Sequence, residues 1–218
     1  YALGSLIMVL PKVFSVVLTP ILSQKSDKKD NVGMYKVLDG SINIFLLISI
    51  PYVIGSLVLG ENVLRLYTNS EISESSWMVI PIVALASIFY GLMTIKAIVI
   101  FVKLKTVSLL KISLISAILN ILLNVILISL FNNIVMAAIA TLISYIFGYF
   151  YTISILKKHE FKLIINYTWI LSLLVSSIGM YIVLKLFLFI NSAPEQHSVL
   201  FIFTSIFLGC AVYSIFVF

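Results

Sequence analysis

Lysine side chains inside long apolar stretches are the residues of this sequence with the clearest chemical potential. Lys12 lies about 14 Å along its apolar stretch, close to its middle, directly after Pro11. A charged side chain at that depth of a membrane costs on the order of 2.5–3.5 kcal/mol. A lysine in a hydrated cavity wall could attract an anionic group such as a phosphate; alternatively, it is a structural lysine bonded to a neighbouring carbonyl. The helical repeat places it on one face with Ser5, Met8, Ser15 and Thr19.

Two further lysines lie near the ends of apolar stretches. Lys96 lies six residues before the end of its stretch, and Lys185 lies five residues before the end of its own. Each four-carbon stem can therefore carry its ammonium to the membrane surface. We expect both to snorkel, although each could instead line a cavity that widens toward its surface. Asn120 and Asn124 share a helical face in mid-span, where their amides either bond across to other helices or line a cavity.

The composition identifies the solvent around these residues. The 218-residue chain is 62% hydrophobic and 10% charged, with a mean hydropathy of +1.21. A soluble domain of this size cannot bury so much apolar surface, and disorder requires low hydrophobicity. The net charge of +6 does not indicate a nucleic-acid binder, because the basic residues are scattered between apolar stretches. The fold class is therefore an all-α, polytopic transmembrane helix bundle.

Seven stretches have the roughly 20 apolar residues that a helix needs to cross a bilayer. Their continuity favours helices over the alternating strands of a barrel. The predicted spans are 3–22, 38–59, 78–102, 107–130, 134–156, 169–190 and 199–218.

Charge alternates between the loops that connect these spans. Acidic residues dominate loop two, and loop six contains Glu195 and no basic residue. Basic residues fall in loops one, three and five, which predicts that those loops are cytoplasmic, with Tyr1 outside and Phe218 inside. An intact protein that starts in the cytoplasm would then have an odd number of spans upstream. The basic loop residues are Lys25, Lys28, Lys29, Lys36, Lys103, Lys105, Lys111, Lys157, Lys158 and Lys162.

Other residues predict structure rather than chemistry. Pro11 is expected to kink the first helix, while Pro51 and Pro81 mark bends or helix starts. Gly148 ends a small-residue repeat that allows close helix packing. The segment 23–36 in loop one is predicted to be an amphipathic or extended cytoplasmic segment, whose lysines either set the topology or touch anionic lipid.

The sequence contains no constellation for catalysis, a metal or a cofactor. No carboxylate lies deep in a predicted span, and His159 and His197 lie in loops without neighbouring ligands. Cys210 is expected to be apolar filler, and no nucleophile has a base within reach. The chain is therefore not expected to be an enzyme.

Three stretches resemble Wzx-type polysaccharide flippases of the MOP superfamily, which also contains MATE drug exporters and lipid II flippases. The first runs from Tyr1 through Leu10-Pro11 to Leu18-Thr19-Pro20-Ile21-Leu22-Ser23, and the second is Ile50-Pro51-Tyr52-Val53-Ile54-Gly55 with Val63-Leu64-Arg65-Leu66-Tyr67. The third is similar to the family's "xNxxLN…GAAxATxxSY" and extends from Leu119 to Tyr145. Ser129 stands where members usually carry Pro, and glycines are missing near Asn133 and Met136, so the turn there is expected to differ.

The resemblance implies the C-terminal bundle, residues 1–218, of a two-bundle transporter in the cytoplasmic membrane. Such a transporter moves undecaprenyl-pyrophosphate-linked oligosaccharide to the outer leaflet by alternating access, and its partners are the bilayer, that lipid-linked glycan and the N-terminal bundle. A MATE-type cation exporter and a membrane enzyme of polysaccharide assembly are the alternatives. The candidate cavity residues are Lys12, Ser15, Thr19, Lys96, Asn120, Asn124 and Lys185.

Overall fold

The computed structural model describes residues 1–103, 106–158, 167–191 and 198–217, except for the side chain of Ser70. Every secondary-structure element in these ranges is helical. Several residues named above, Lys105, His159, Lys162, Glu195, His197 and Phe218, lie outside the described residues. The elements are α1 Ala2–Ser5, a 3₁₀ turn Leu6–Met8, α2 Val9–Asp27, α3 Asn31–Arg65, α4 Ser70–Ser76, α5 Val79–Lys103, α6 Val107–Phe131, α7 Val135–Lys158, α8 Tyr167–Ile190 and α9 Val199–Val217.

The prediction of seven membrane-spanning helices is confirmed within the described residues. Seven helices or helix combinations are long and apolar enough to cross a bilayer, beginning with Ala2–Asp27 and ending with Val199–Val217. The second is longer than predicted, because α3 extends over 35 residues rather than from 38 to 59. At 1.5 Å per residue it is about 50 Å long, so it projects beyond a hydrocarbon core of about 30 Å.

The extra length of α3 corrects the expectation for loop one. Most of segment 23–36 is helical, because α2 continues to Asp27 and α3 begins at Asn31. Lys29 closes the turn with a left-handed backbone (φ 56°), and the Asp30 carboxylate caps α3 by accepting the Gly33 N–H at 2.8 Å. Local capping therefore replaces the extended segment with a tight connection of three residues.

Helix α5 is the centre of the bundle. It packs against α7, α3 and α2 and also contacts α1 and α6, whereas α8 packs on α3 and α9. The side chains of Val83, Ala84, Ile95 and Ile100 are completely buried on different sides of α5. A helix buried around its circumference must be apolar on every face, which matches the sequence of α5.

The outer helices keep large apolar side chains on the surface of the bundle. Helix α6 buries only Ile112 and Ser116, while Leu110, Ile121 and Val125 are 63–66% exposed. An apolar surface of this extent is unstable in water but suits the hydrocarbon of a membrane. The burial pattern therefore agrees with the composition: this is a multi-pass membrane protein.

The predicted proline positions have distinct outcomes. Pro11, which is predicted to kink the first helix, lies in the first turn of α2, shortly after a 3₁₀ turn that interrupts the first span. Pro81 also lies in a first helical turn, where its missing N–H costs no hydrogen bond. Helix α3 continues through Pro51.

Glycines allow the closest helix contacts, as predicted for Gly148. A Cβ atom at Gly148 would lie 2.5 Å from the Ser116 hydroxyl of α6 and 2.8 Å from the Met93 sulfur of α5. At Gly91 of α5, a Cβ atom would occupy the position of the Phe45 ring of α3. These contacts let α3, α6 and α7 approach the central helix.

The turn between α6 and α7 shows how the missing glycines are replaced. Asn132 adopts a left-handed backbone (φ 49°) and caps α6, with its N–H bonded to the carbonyl of Ile128 at 2.8 Å. Asparagine is one of the few residues that take this conformation readily. The Asn133 side chain then accepts the Val135 N–H at 2.8 Å, which starts α7.

Replacing Gly91 by Ala should destabilise the bundle, because Phe45 is fully buried and cannot move into open space. Overpacking of this kind typically costs about 1–3 kcal/mol. Gly55→Ala is the matched control, since no atom lies within 4 Å of a Cβ there. The thermal midpoint of the full-length protein in detergent should fall for Gly91→Ala only, and equal midpoints would contradict the packing shown.

The cap of α3 predicts a pH dependence. The Gly33 N–H, followed by the ammonium of Lys25 at 3.0 Å, holds the pKa of the Asp30 carboxyl below its usual value of 3.8. A depressed pKa stabilises the folded state above the unfolded value and ceases to do so as pH falls through the folded value. The wild type should therefore be more stable than Asp30→Asn at neutral pH, and this difference should disappear below pH 3.8. Thermal unfolding across this pH range measures it, and a difference that persists in strong acid would contradict it.

Candidate substrate-facing surface

Lys12 lies on the surface of the bundle, not inside it. Its side chain is exposed on α2, at the border between two faces of that helix. On one side, Pro11, Leu18 and Leu22 are buried toward the neighbouring helices. On the other side, Val13 and Val16 are 53% and 77% exposed. The ammonium is therefore available to a partner outside this bundle.

The polar residues predicted to share the face of Lys12 do flank it, and the hydroxyls of Thr19 and Ser5 bond to nearby carbonyls. Ser15 and Thr19 are half-buried, and Thr19 donates to the Ser15 carbonyl at 2.6 Å. Ser5 donates to the Ala2 carbonyl at 3.0 Å. A hydroxyl bonded to its own helix has its donor satisfied in lipid. Lys12 is then the charged group on this face.

The break before α2 is stabilised by neighbouring helices. Two carbonyls of α1 meet hydroxyls of other spans: that of Leu3 accepts from the Tyr52 hydroxyl of α3, and that of Gly4 lies 3.4 Å from the Ser87 hydroxyl of α5, whose shorter bond goes to the Val83 carbonyl at 2.7 Å. Irregular backbone at membrane depth needs such partners. Hydroxyls of α3 and α5 thus lie against the helical turn that precedes the 3₁₀ segment.

Asn120 and Asn124 come together in a network that includes a residue the sequence did not single out. The Asn124 amide donates to the Asn120 side-chain oxygen at 3.1 Å, and the Asn120 amide donates to the Thr141 hydroxyl of α7 at 3.3 Å. The Tyr1 hydroxyl lies 2.6 Å from the same Thr141 oxygen. Both asparagines are half-buried, so the network bonds helices together and keeps a partly open side.

Aromatic hydroxyls extend this polar region. The rings of Tyr90 on α5 and Tyr145 on α7 are 5.2 Å apart. In the sequence, Thr141 belongs to the small-residue repeat that ends at Gly148, a pattern that predicts packing rather than a polar contact. The available signal was that Thr141 follows Asn120 and Asn124 in the most recognisable family stretch.

The expectation that Lys96 snorkels is wrong. Its side chain is only 4% exposed, because α5 is surrounded by other helices and offers no route along a lipid-facing surface. The carboxylate of Asp39 on α3 acts on it electrostatically, although no ion pair within 4.0 Å joins them. Lys96 therefore belongs to the protein interior.

Lys185 is exposed near the end of α8, as expected for a snorkelling lysine, and its ammonium lies 6.0 Å from the centre of the Tyr181 ring. Helix α8 packs on α3 and α9, whereas Lys12 is on α2, which packs on α3 and α5. The three lysines thus lie on three helices in three different environments. Within the described ranges, no group of three His, Cys, Asp or Glu residues could hold a metal ion.

A family profile for the lipid II flippase MurJ matches residues 3–209. The chain belongs to this family. It is a family of flippases, which are transporters and not enzymes. The predicted membership of the MOP superfamily is thereby confirmed. The family profile places the chain with lipid II flippases rather than specifically with the Wzx type.

A solved structure titled "Lipid II flippase MurJ, inward closed conformation" has the same fold. The two chains superpose with a TM-score of 0.74 at 20% sequence identity, over 95% of this chain and 43% of that one. The chain therefore spans less than half the length of this related structure. None of the curated proteins matches the sequence.

Thr141→Val should weaken the polar network while keeping the side-chain shape. The Thr141 hydroxyl donates to the Ala137 carbonyl at 3.0 Å, so its lone pairs serve Tyr1 and Asn120. Losing an acceptor for partly buried donors costs about 1–3 kcal/mol. Thr141→Ser retains the hydroxyl and should keep the wild-type melting midpoint in detergent, whereas Thr141→Val should lower it. Identical midpoints for the two variants would show that the network does not stabilise the bundle.

Proposed function

We propose that this chain supplies one bundle of a transporter that carries a polyprenyl-pyrophosphate-linked saccharide from the cytoplasmic to the outer leaflet. The observation that carries the proposal is the exposed ammonium of Lys12, in mid-span, within a chain of the lipid II flippase family. A pyrophosphate needs cationic, hydrated surroundings to pass a bilayer, while a polyprenyl tail can remain in lipid.

The chemistry of lysine suits a substrate that must be released. Its ammonium is a compact, strongly hydrated charge on a flexible stem, in contrast to the bidentate grip of arginine on phosphate. A point contact attracts the pyrophosphate and lets it leave when the cavity opens to the other side. We assign Lys12 this contact, with the half-buried amides of Asn120 and Asn124 as further polar groups for the head of the substrate.

We propose lipid II, the polyprenyl-pyrophosphate-linked precursor of peptidoglycan, as the substrate. The support is the family match over residues 3–209. An undecaprenyl-pyrophosphate-linked oligosaccharide of surface polysaccharide, as carried by Wzx-type proteins, is the second candidate. The two share the lipid pyrophosphate and differ in the saccharide, so Lys12 would serve either.

The exposed position of Lys12 also supports a two-bundle arrangement. The solved relative is more than twice as long as the part this chain covers, which leaves room for a second bundle facing α2. We propose that the cavity forms between the two bundles and that the loops after α2, α5 and α7 are cytoplasmic, because lysines concentrate there.

A cation exporter of the MATE type is the alternative function, and the positions of the carboxylates argue against it. Cation binding in a membrane needs a buried carboxylate. In the described helices, the carboxylates of Asp39, Glu61, Glu71 and Glu74 lie toward the ends of the spans rather than in mid-span. No carboxylate of these helices is thus placed where Lys12 stands in its span, which favours an anionic substrate over a cationic one.

Lys12→Ala in the full-length protein should reduce transport at least about tenfold, as expected for loss of one charge-assisted contact. Lys12→Arg should retain a substantial part of the activity, because it preserves the charge. The measurement is the amount of lipid II that an enzyme confined to the outer face can cleave, in cells whose own flippase is depleted.

Lys111→Ala is the matched control, since Lys111 is also exposed but lies near the start of a different helix, α6. Membrane insertion of each variant is checked by its abundance in purified membranes. Wild-type cleavage with Lys12→Ala would refute the role of Lys12. If the wild type restored surface polysaccharide but not lipid II transport, the undecaprenyl-pyrophosphate-linked oligosaccharide would be the favoured substrate.

A further inference from the structure

A cavity of about 600 Å³ lies between the ends of α3 and α8, away from Lys12. Its polar lining comes from Glu61 and Asn62 of α3, Trp77 before α5, and Lys185 of α8. Its apolar lining includes Leu57 and Phe189. Because α8 packs on α3 and α9, this cavity belongs to a different side of the bundle from the substrate-facing surface.

The charges of this cavity are only partly compensated by the protein. Arg65 binds Glu61 and Glu74 together, with distances of 2.7 Å and 2.8 Å from its Nη2 atom to the two carboxylates. One cation thus serves two anions, and the group keeps one net negative charge. Both bonds from Arg65 to Glu61 end on Oε1, at 2.7 and 3.1 Å, so Oε2 can accept another donor.

Lys185 provides the opposite charge. Its side chain is exposed, and its ammonium lies 6.0 Å from the Tyr181 ring centre. No carboxylate of the described residues lies within 4.0 Å of it, so it does not pair with Glu61 across the cavity. The cavity is therefore lined both by a cation without a carboxylate partner in the described part of the chain and by a carboxylate oxygen that can accept a further donor, a combination that suits a zwitterion.

The apolar wall suits a zwitterion that carries hydrocarbon. Leu57, Leu186 and Phe189 line the cavity and are 39%, 55% and 80% exposed. Lys185 lies five residues before the end of α8, about 7–8 Å along the axis, which is the depth of lipid headgroups. Trp77 lies beside it, and tryptophan prefers this depth because its indole combines an apolar ring with an N–H donor.

We propose that this cavity binds a phospholipid with a zwitterionic head that ends in a primary ammonium, that is, a phosphatidylethanolamine. The lipid phosphate contacts the Lys185 ammonium, and the lipid ammonium donates to Glu61 Oε2 and the Asn62 side-chain oxygen. One acyl chain lies along Leu57 and Phe189. This site is independent of the transported substrate, because it shares no residue with the surface around Lys12.

The test uses the purified full-length protein in detergent and measures bound lipid by native mass spectrometry at increasing lipid concentration. Phosphatidylethanolamine should bind more tightly than phosphatidylcholine, whose trimethylated ammonium cannot donate a hydrogen bond, and more tightly than phosphatidylglycerol, which has no cation. Water-soluble glycerophosphoethanolamine should compete weakly, because it lacks acyl chains.

Lys185→Gln should weaken phosphatidylethanolamine binding about tenfold, while Lys111→Gln, an equally exposed lysine near the opposite end of the bundle, should leave it unchanged. Glu61→Gln should lower the preference for phosphatidylethanolamine over phosphatidylglycerol. If that variant is unstable because Arg65 loses its partner, Phe189→Ala replaces it and should weaken all three lipids together.

Three results would overturn the proposal: equal binding of phosphatidylcholine and phosphatidylethanolamine, tighter binding of phosphatidylglycerol, or unchanged affinity in Lys185→Gln. Competition by glycerophosphoethanolamine as strong as that by the whole lipid would also overturn it, because the apolar wall would then have no role. Lipid II transport, measured in parallel, tests the proposed function and does not decide whether the cavity binds phosphatidylethanolamine.

Discussion

Hydrocarbon cannot hydrogen-bond, so each polar atom in a span needs a partner within the protein, and this constraint shapes the whole bundle. Many hydroxyls along the helices meet it by bonding to the carbonyl one turn earlier, whereas those of Ser116 and Ser177 are buried without a partner among the described residues. Where the backbone itself breaks, after α1, side chains of α3 and α5 supply the bonds. Examples of the hydroxyl bonds, at 2.7–2.8 Å, are those of Ser41, Ser49, Ser144, Thr152 and Ser205. Against this background, an exposed lysine in mid-span is an exception that calls for a functional explanation.

Close approach to α5 decides which polar residues meet. Gly91 admits the ring of Phe45, and Gly148 lets α7 come within contact of Ser116 and Met93. With α7 held there, Thr141 reaches Asn120 of α6, and Tyr1 reaches the same hydroxyl from the start of the chain. The polar network is therefore a consequence of glycine-mediated packing, since a larger residue at either position would push the helices apart.

The three lysines of the spans show how position in the bundle changes the chemistry of one residue type. Lys12 has its charge at the surface of α2, where the proposed second bundle and anionic substrate would meet it. Lys96 is enclosed by the helices around α5, so it belongs to the interior. Lys185 lines a cavity together with Glu61, where we propose a lipid head.

Several features of this protein follow from its sequence alone. Runs of apolar residues determine the number of spans, because the thickness of the bilayer sets the length of a crossing helix. Pro11 predicts the interruption of the first span, since a proline removes a backbone donor and clashes with the preceding turn. Lys12 is marked by its charge and depth, and the last small residue of the α7 repeat predicts close packing.

The arrangement of the helices was decided by tertiary structure. Helical periodicity shows which residues share a face but not which helix that face meets, so Lys96 was expected at the membrane surface although α5 is enclosed. The length of α3 depends on the Asp30 cap and the left-handed Lys29, which are local features that hydropathy does not register. The link from Tyr1 to Thr141 joins residues 140 positions apart, and the cavity lined by Glu61 and Lys185 joins α3 to α8. Such contacts exist only after whole helices pack, because they depend on the shapes of both surfaces rather than on either sequence pattern.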